Sequence, residues 1–429
     1  MASKAGGAKD PLLLRHTSAA LQNLCTTCGL RRTGTKPILA NRLRHAAQSF
    51  RPLPKDARVL SLDMGIRNFA LSLITPASPS TSSSSSGVLK TPVRLLAWER
   101  IDLLSLASSS SSSSPSPSSS SSSPFSPPPN HPDTDADADD KKETEKNLFF
   151  TPSALSYSTL RLAVEHLLPH RPTHVLIERQ RFRSGGAAAV LEWTVRVNSL
   201  EAMLHAVLAA LNLNLRRGWD DMANSSSPSS SSSYPSLSGG DKGKEEVIVG
   251  KLPYCWWWHG EVQSIAPKVL AGFLLPEDVV EKELTSSEEV VEEEEEEVPE
   301  GVVMEDEVGG ENQGRRKTKR KRAATGRNAV YRLLKQEKIK LLTEVLSSGM
   351  VQPAEGRPRE MVDRFLAAVE RKAAGVRRKK TGDKEVEDIG KMDDLCDSLL
   401  QGMAWVQWQS NLEALIQEQP ELLEQPQHD

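Results

Sequence analysis

The chain has 429 residues, of which 38% are hydrophobic and 26% are charged, and its formal net charge is −3. Its four cysteines are too few for a disulfide framework in a chain of this length, which argues against a disulfide-stapled secreted fold and favours a reducing compartment. No apolar run approaches the roughly 20 residues of a bilayer-spanning helix, so we expect no membrane insertion.

The first 58 residues form a basic block, with eleven lysines and arginines against two acidic residues. Such a block suggests contact with nucleic acid or an anionic membrane, or an import signal. Within it, residues 1–16 are predicted to be a disordered or targeting segment.

Residues 17–50 are predicted to form a hairpin of two short helices. Leu21 and Leu24 share one face of the first helix, and Gly29 suits its C-terminal cap. The basic turn RRTGTK follows, and the second helix has apolar residues at helical spacing. The hairpin resembles the SAP motif, a small DNA-binding unit. The predicted DNA contacts in it are Arg31, Arg32, Lys36 and Arg42.

Cys25 and Cys28 form a CxxC pair inside the first helix of this hairpin. A structural zinc ion needs four ligands, and the chain has no second CxxC. We therefore predict two partly buried cysteines rather than a metal site.

Four stretches have compositions that bury too little apolar surface to fold. Two are rich in serine and proline, a third is serine-rich and then charged, and the fourth runs from an acidic tract to the basic RRKTKRKR. We predict disordered inserts at about 78–88, 104–146, 219–245 and 277–323, and a tail at 417–429. They would interrupt a single domain of residues 57–416.

The remaining segments alternate between strand and helix patterns. Strands are predicted at 58–63, 69–74, 93–103, 173–180 and within 247–260, around the aromatic run YCWWWHG. Helices are predicted at 153–169, 185–211, 325–345, 357–375 and 391–415. Closely spaced strands favour an antiparallel meander, whereas a strand reached through a crossover helix is parallel. The predicted fold is α/β: a mixed five-stranded sheet flanked by helices, in a ribonuclease H-like arrangement.

Acidic side chains stand at the ends of these elements. Asp63 ends the first strand, Glu178 ends the fourth, and the last helix begins with Asp393, Asp394 and Asp397. Each alone has an ordinary explanation, as a turn residue, an exposed strand end or an acid at a helix N-terminus. Gathered together, the carboxylates repel one another unless cations neutralise them. Oxygen ligands suit Mg²⁺ or Mn²⁺, and two such ions can activate a water for phosphodiester hydrolysis.

Five segments together resemble the fungal mitochondrial Holliday junction resolvases, which are relatives of the bacterial RuvC resolvases in the ribonuclease H-like superfamily. The segments are LSLDMGIRNFALSLI, VLIERQRFRSGG, VNSLEAML, SIAPKVL and KMDDLCDSLLQGMAWVQW. The resemblance implies a homodimeric mitochondrial endonuclease that resolves four-way DNA junctions with two Mg²⁺ or Mn²⁺ ions per active site and no nucleotide cofactor. In that reading Asp63 bridges both ions, and Glu178, Asp397 and one or both of Asp393 and Asp394 complete the site.

Residues beside these acids are expected to contact DNA. Basic side chains next to a metal site suit phosphate, and glycines at a helix start allow the backbone to approach it. The predicted contacts are Arg179, Gln180, Arg181, Arg183, Gly185, Gly186 and Lys391. Met392 stands where the family pattern often has a second lysine.

Two other functions compete with the nuclease. A non-catalytic DNA-binding or packaging protein would use the hairpin and the basic tracts alone. An actin-like ATPase also opens with a DxG hairpin, but it needs a second glycine-rich phosphate loop that the chain lacks. The basic run at 315–322 would favour the nucleus as the alternative to the mitochondrion.

Overall fold

A computed structural model describes residues 16–78, 87–108, 150–180, 192–224, 258–276, 332–374 and 392–420. The strands are β1 (Val59–Asp63), β2 (Phe69–Pro76), β3 (Val93–Ile101), β4 (His174–Glu178), β5 (Glu261–Ile265) and β6 (Val351–Pro353). The helices are α1 (Ser18–Thr27), α2 (Lys36–Ser49), α3 (Leu103–Ser108), α4 (Pro152–Arg161), α5 (Glu192–Asn224), α6 (Pro267–Leu274), α7 (332–347), α8 (Arg357–Ala373) and α9 (Met392–Glu418). After α4 the chain makes a π-helical turn over Leu162–Leu167 and a 3-10 turn over Leu168–His170.

The strands form one mixed sheet in the order β5-β4-β1-β2-β3-β6. β1, β2 and β3 are the predicted antiparallel meander, and β4 pairs in parallel with β1 and with β5. The mixed α/β fold is thus confirmed, but the predicted count of five strands is wrong. The sixth strand, β6, pairs in parallel with β3. It has only three residues, too few to show the alternation by which a strand is recognised in a sequence.

Helices cover both faces of the sheet. On one face α9, α6, α7 and α8 pack over a core that includes Val59, Ile74 and Leu95. On the other face α4 and α5 pack over Leu60, Leu71 and other side chains of the same strands. Neighbouring strand residues therefore enter opposite cores, as the period of two requires.

Several boundaries differ from the predictions. The helix α3 occupies the start of the insert expected at 104–146, because Leu103 is buried and Asp102 accepts a hydrogen bond from the Leu104 amide at 3.0 Å. The helix α5 reaches Asn224, beyond its predicted end at 211 and into the insert expected at 219–245. The strand β5 begins just after the aromatic run rather than within it, and most of that run lies outside the described residues.

Trp258, the last tryptophan of the aromatic run, is a core residue. It is 1% exposed, and its indole nitrogen donates a hydrogen bond to the Pro172 carbonyl at 2.5 Å. A tryptophan that is buried needs such a partner for its N–H group. At this position the run serves core packing, although Trp258 precedes β5 rather than lying in it.

The helical hairpin packs on the C-terminal half of α9. Its core includes Leu21, Cys25, Leu39 and Leu43, and Leu412 and Leu415 of α9 complete it. Cys25 and Cys28 are both buried free thiols, as expected from the lone CxxC. Among the residues described, no helix has both the length and the apolar character needed to cross a membrane.

Gly29 ends α1 and lies against α9. Its φ is +70°, and the Leu30 amide donates back to the Cys25 carbonyl at 2.7 Å, which closes the helix end. A Cβ at this position would lie 2.3 Å from the Trp408 ring. Both the left-handed backbone and the close approach therefore require glycine.

Candidate active site

The alternation of side chains along β1 and β4 places two acids on one face of the sheet. In β1, Leu62 enters the core under α4 and α5, so its neighbour Asp63 faces α9. In β4, Ile177 enters the same core, so Glu178 also faces α9. Because Leu62 and Ile177 are partners in a parallel pair, both acids leave the sheet at the same edge.

The Asp63 carboxyl group is crowded by other acids. Burial raises its pKa well above the usual value, and the charge of Glu178 and a hydrogen bond with Glu178 raise it further. The charges of Asp397 and Asp394 add to the shift. The two strand ends and the first turns of α9 therefore converge on a group that we call the acidic cluster: Asp63, Glu178, Asp394 and Asp397.

Asp393 and Asp394 are adjacent but face different partners. Asp394 acts on Asp63, whereas Asp393 forms an ion pair with Lys335 of α7. One helical residue turns the side chain by about 100°, which separates the two directions. The charge of Asp394 raises the pKa of Asp63, which favours Asp394 over Asp393 of the two candidates that the sequence left open.

Two lysines of α7 meet the acids of α9. The ammonium of Lys338 lies 2.7 Å from Oδ1 of Asp397, and Lys335 pairs with Asp393. Burial opposes the charge of Lys338, but the Asp397 carboxylate outweighs it by charge and by hydrogen bond, and Glu178 adds to the effect. The pKa of Lys338 is therefore raised, and its ammonium belongs to the same electrostatic neighbourhood as the acidic cluster.

The donor chemistry of the cluster suits a hard divalent cation, since all four side chains offer carboxylate oxygens. Within the described parts of the chain, no three His, Cys, Asp or Glu side chains already stand in a metal-holding arrangement. Positive charge is instead supplied by Lys335 and Lys338. Metal binding would therefore require the pairing of Asp397 with Lys338 to change.

A buried amide lies directly behind the acids. Gln401, one turn after Asp397 on α9, is 2% exposed. Its Nε2 lies 3.1 Å from Ser61 Oγ, 3.3 Å from the Leu62 carbonyl and 3.4 Å from the Leu176 carbonyl. Gln401 thus ties α9 to both of the strands that end in cluster acids. Sequence reasoning missed it, because a glutamine inside an apolar helix carries no motif.

Glu201 supports the segment after Glu178. Its Oε2 accepts a hydrogen bond from the Gln180 amide at 2.9 Å, and the Arg179 amide donates to the Ile265 carbonyl at 2.8 Å. The backbone is therefore held on both sides directly beyond β4. Glu201 lies in the VNSLEAML segment, but the sequence offered no sign of its partner.

The predicted DNA contacts beside the cluster are only partly described. Arg179 is exposed and Gln180 is half-buried, and both follow Glu178 directly. The remaining predicted contacts here lie outside the described residues: Arg181, Arg183, Gly185, Gly186 and Lys391.

The predicted contacts on the hairpin lie elsewhere. Arg31 is exposed, while Arg32 and Lys36 are half-buried. Arg42 donates to the Arg31 carbonyl and, at 3.0 Å, to the Thr33 carbonyl, so it braces the basic turn. The hairpin contacts α9 at Leu412, about 22 Å along the helix from Asp397. The two predicted DNA-binding regions are therefore separate.

The chain is similar in sequence to a known family of mitochondrial proteins. The family model described as "Mitochondrial resolvase Ydc2 / RNA splicing MRS1" matches residues 59–415. The mitochondrial cruciform cutting endonuclease 1 of Schizosaccharomyces pombe is 29% identical over 187 residues, which cover 44% of this chain and 53% of that protein. The alignment thus spans about half of the relative's length. The solved yeast mitochondrial Holliday junction resolvase Ydc2 aligns with a TM-score of 0.44 and 16% identity over 95% of this chain and 99% of that one.

Proposed function

Since the chain belongs to the mitochondrial resolvase Ydc2 / RNA splicing MRS1 family, we propose that it is a structure-specific endonuclease that resolves four-way DNA junctions in mitochondria. The observation that carries this proposal is the convergence of four carboxylates, from two strand ends and one helix, at one edge of the sheet. The name of the fission-yeast relative, a mitochondrial cruciform cutting endonuclease, supports both the substrate and the compartment.

Asp63, Glu178, Asp394 and Asp397 would hold Mg²⁺ or Mn²⁺, two ions per site. When bound, such ions supply an activated water and stabilise the leaving oxygen of the cut phosphodiester. Burial and the repulsion of neighbouring acids raise the pKa of Asp63, and divalent ions would relieve both by neutralising the carboxylates. The sheet holds Asp63 and Glu178 in place, because both lie on paired strands.

DNA would be held by groups beside the cluster and on the hairpin. Arg179 is exposed next to Glu178 and can pair with a phosphate. The hairpin would act as the SAP-like unit and hold a duplex arm through Arg31, at the other end of α9. The domain of residues 57–416 would carry the chemistry on its ribonuclease H-like sheet. Two opposed cuts need two acidic clusters, which is why we propose a homodimer.

The test is the substitution Asp63→Asn on the full chain with a synthetic four-way junction. Without the central carboxylate, Mg²⁺-dependent cleavage should fall by at least about 10³-fold, since several kcal/mol of transition-state stabilisation is lost. Junction binding in EDTA should stay within about twofold of the wild type.

A matched control is Glu99→Gln on β3. Glu99 is also a strand carboxylate, but it pairs with His170, 3.5 Å away, outside the acidic cluster. Cleavage by this variant should match the wild type. Cleavage that survives Asp63→Asn would remove the cluster from the mechanism.

A second candidate is a nucleic-acid-binding protein that does not cut. It is favoured by the pairing of Asp393 and Asp397 with Lys335 and Lys338, and by the RNA-splicing member in the family description. In that case the wild-type chain binds branched DNA or RNA with the same affinity in Mg²⁺ and in EDTA, and it leaves a junction intact. The cleavage assay on the wild type separates the two functions.

A further inference from the structure

Two lysines and two aspartates form a matched pair of bridges between α7 and α9. Lys335 and Lys338 are three residues apart, and Asp393 and Asp397 are four apart, so each pair lies along one face of its helix. All four side chains are between 20% and 33% exposed, so water reaches them only in part. The bridges therefore stand at a partly closed site rather than on a solvated surface.

Of the two lysines, Lys338 is the one that lies beside the acidic cluster. Its ammonium bonds to Asp397 and also lies within electrostatic reach of Glu178. It faces two members of the acidic cluster from two different elements, so it stands where added positive charge is most favourable. A divalent ion at these carboxylates and the ammonium of Lys338 would compete for the same oxygens.

The charge balance shows what such competition does. Five carboxylates, the acidic cluster with Asp393, face two lysines, which leaves a formal excess of three negative charges. Two divalent ions would reverse this to an excess of one positive charge. The ions would then neutralise the acids in place of lysine, and the region would attract an anion such as a phosphodiester.

We propose that Lys338 exchanges partners: it neutralises Asp397 while no metal is bound, and it binds a phosphate of the junction backbone once metal occupies the cluster. This inference rests on the proposed function, because it takes the acidic cluster as the metal site. It assigns Lys338 to DNA binding at the cutting site, whereas the sequence predicted only a helix over residues 325–345 there.

The experiment compares Lys338→Gln with Lys340→Gln. Lys340 is a matched control, because it loses the same charge from the same helix but is exposed. The first measurement is Mn²⁺ binding to the full chain without DNA, followed by electron paramagnetic resonance. Removing Lys338 removes a competitor from Asp397, so Mn²⁺ should bind about 3- to 10-fold more tightly, whereas Lys340→Gln should not change it.

The second measurement is the salt dependence of junction binding, in EDTA and in Ca²⁺. In Ca²⁺ the slope of log affinity against log salt should fall by about 0.9 for Lys338→Gln, the amount expected for one lost phosphate contact. In EDTA the slope should equal that of the wild type, since the lysine is then bound to Asp397. A slope that falls in Ca²⁺ but not in EDTA is the result that a static ion pair does not produce, because a fixed charge acts on DNA in both conditions.

Lys338→Arg is the control for the possibility that Lys338→Gln changes binding only because it disturbs the fold. It keeps the charge, so it should keep wild-type Mn²⁺ affinity and the wild-type slope in Ca²⁺. Unchanged or weaker Mn²⁺ binding in Lys338→Gln, or the same slope change in EDTA and in Ca²⁺, would overturn the exchange. A wild-type chain that shows the exchange but cuts no junction would support it and overturn only the nuclease function.

Discussion

The two ends of α9 differ in what surrounds them: apolar packing at one end and mutually repelling charges at the other. Its C-terminal half is a packing element: Trp405 and Trp408 lie in the main core, and Leu412 packs into the core of the hairpin. Its N-terminal end gathers acids that repel one another and pairs two of them with lysines. One helix thus has an end built for stability and an end whose charges are unfavourable unless cations are present. Such local conflict is expected where a fold carries chemistry.

The comparison predicts that damage at the packed end affects folding and not chemistry. Gly29→Ala places a Cβ against Trp408 and keeps φ at +70°, so the free energy of unfolding should fall by about 3 kcal/mol. Urea denaturation measures the loss. Cleavage per folded molecule at saturating junction and metal should be unchanged.

Gly349→Ala is the control for backbone strain alone. Gly349 has φ at +76°, but nothing lies within 4 Å of a Cβ there, so this variant should lose only about 1 kcal/mol. Equal losses in the two variants would mean that the contact with Trp408 contributes nothing. The comparison of the two helix ends would then lose its structural basis at the hairpin.

Two buried glutamines of α9 serve to test the acidic N-terminal end of the helix, one as the test and the other as its control. Gln401 bonds to the strands behind the acidic cluster, and Gln407 accepts from the amides of Lys90 and Thr91 at 2.7 and 2.8 Å. Gln401→Leu should lower cleavage by about 10- to 100-fold, as is typical when the support of a metal ligand is lost. The metal concentration for half-maximal cleavage should also rise.

Gln407→Leu breaks at least as many hydrogen bonds in an equally buried place, but far from the acids. It should lower stability and leave cleavage at saturating metal near the wild-type rate. If both variants lose cleavage in proportion to their loss of stability, Gln401 has no positioning role beyond general packing.

The parts that could be predicted from the sequence are those with a period or a motif. The strands that carry Asp63 and Glu178 have buried apolar runs, and Gly29 follows a clear helical face, so their placement was confirmed. The strand β6 was missed because three residues show no period. The partner of Asp393 was missed for another reason. Lys335 lies 58 residues away along the chain, so only the packing of α7 on α9 brings them together.

The smallest effect concerns the stability of the metal-free acidic end. An acid whose pKa is raised in the folded state destabilises the fold increasingly as the pH rises from its unfolded value, near 4, towards its folded value. Asp63→Asn removes this charge and still leaves an amide that can donate to Glu178. In EDTA at neutral pH the variant should therefore be more stable than the wild type, by about 1 kcal/mol.

The pH dependence identifies the cause of that gain. Chemical denaturation in EDTA between pH 5 and 8 should show a gain that is smallest at pH 5 and grows with pH, because the protonated Asp63 of the wild type carries no repulsion. Added Mg²⁺ should reverse the order, since it would stabilise the wild-type chain and not the variant. A variant less stable than the wild type at every pH would mean that Asp63 is held by favourable contacts. The acidic end of α9 would then be as well satisfied as the packed end.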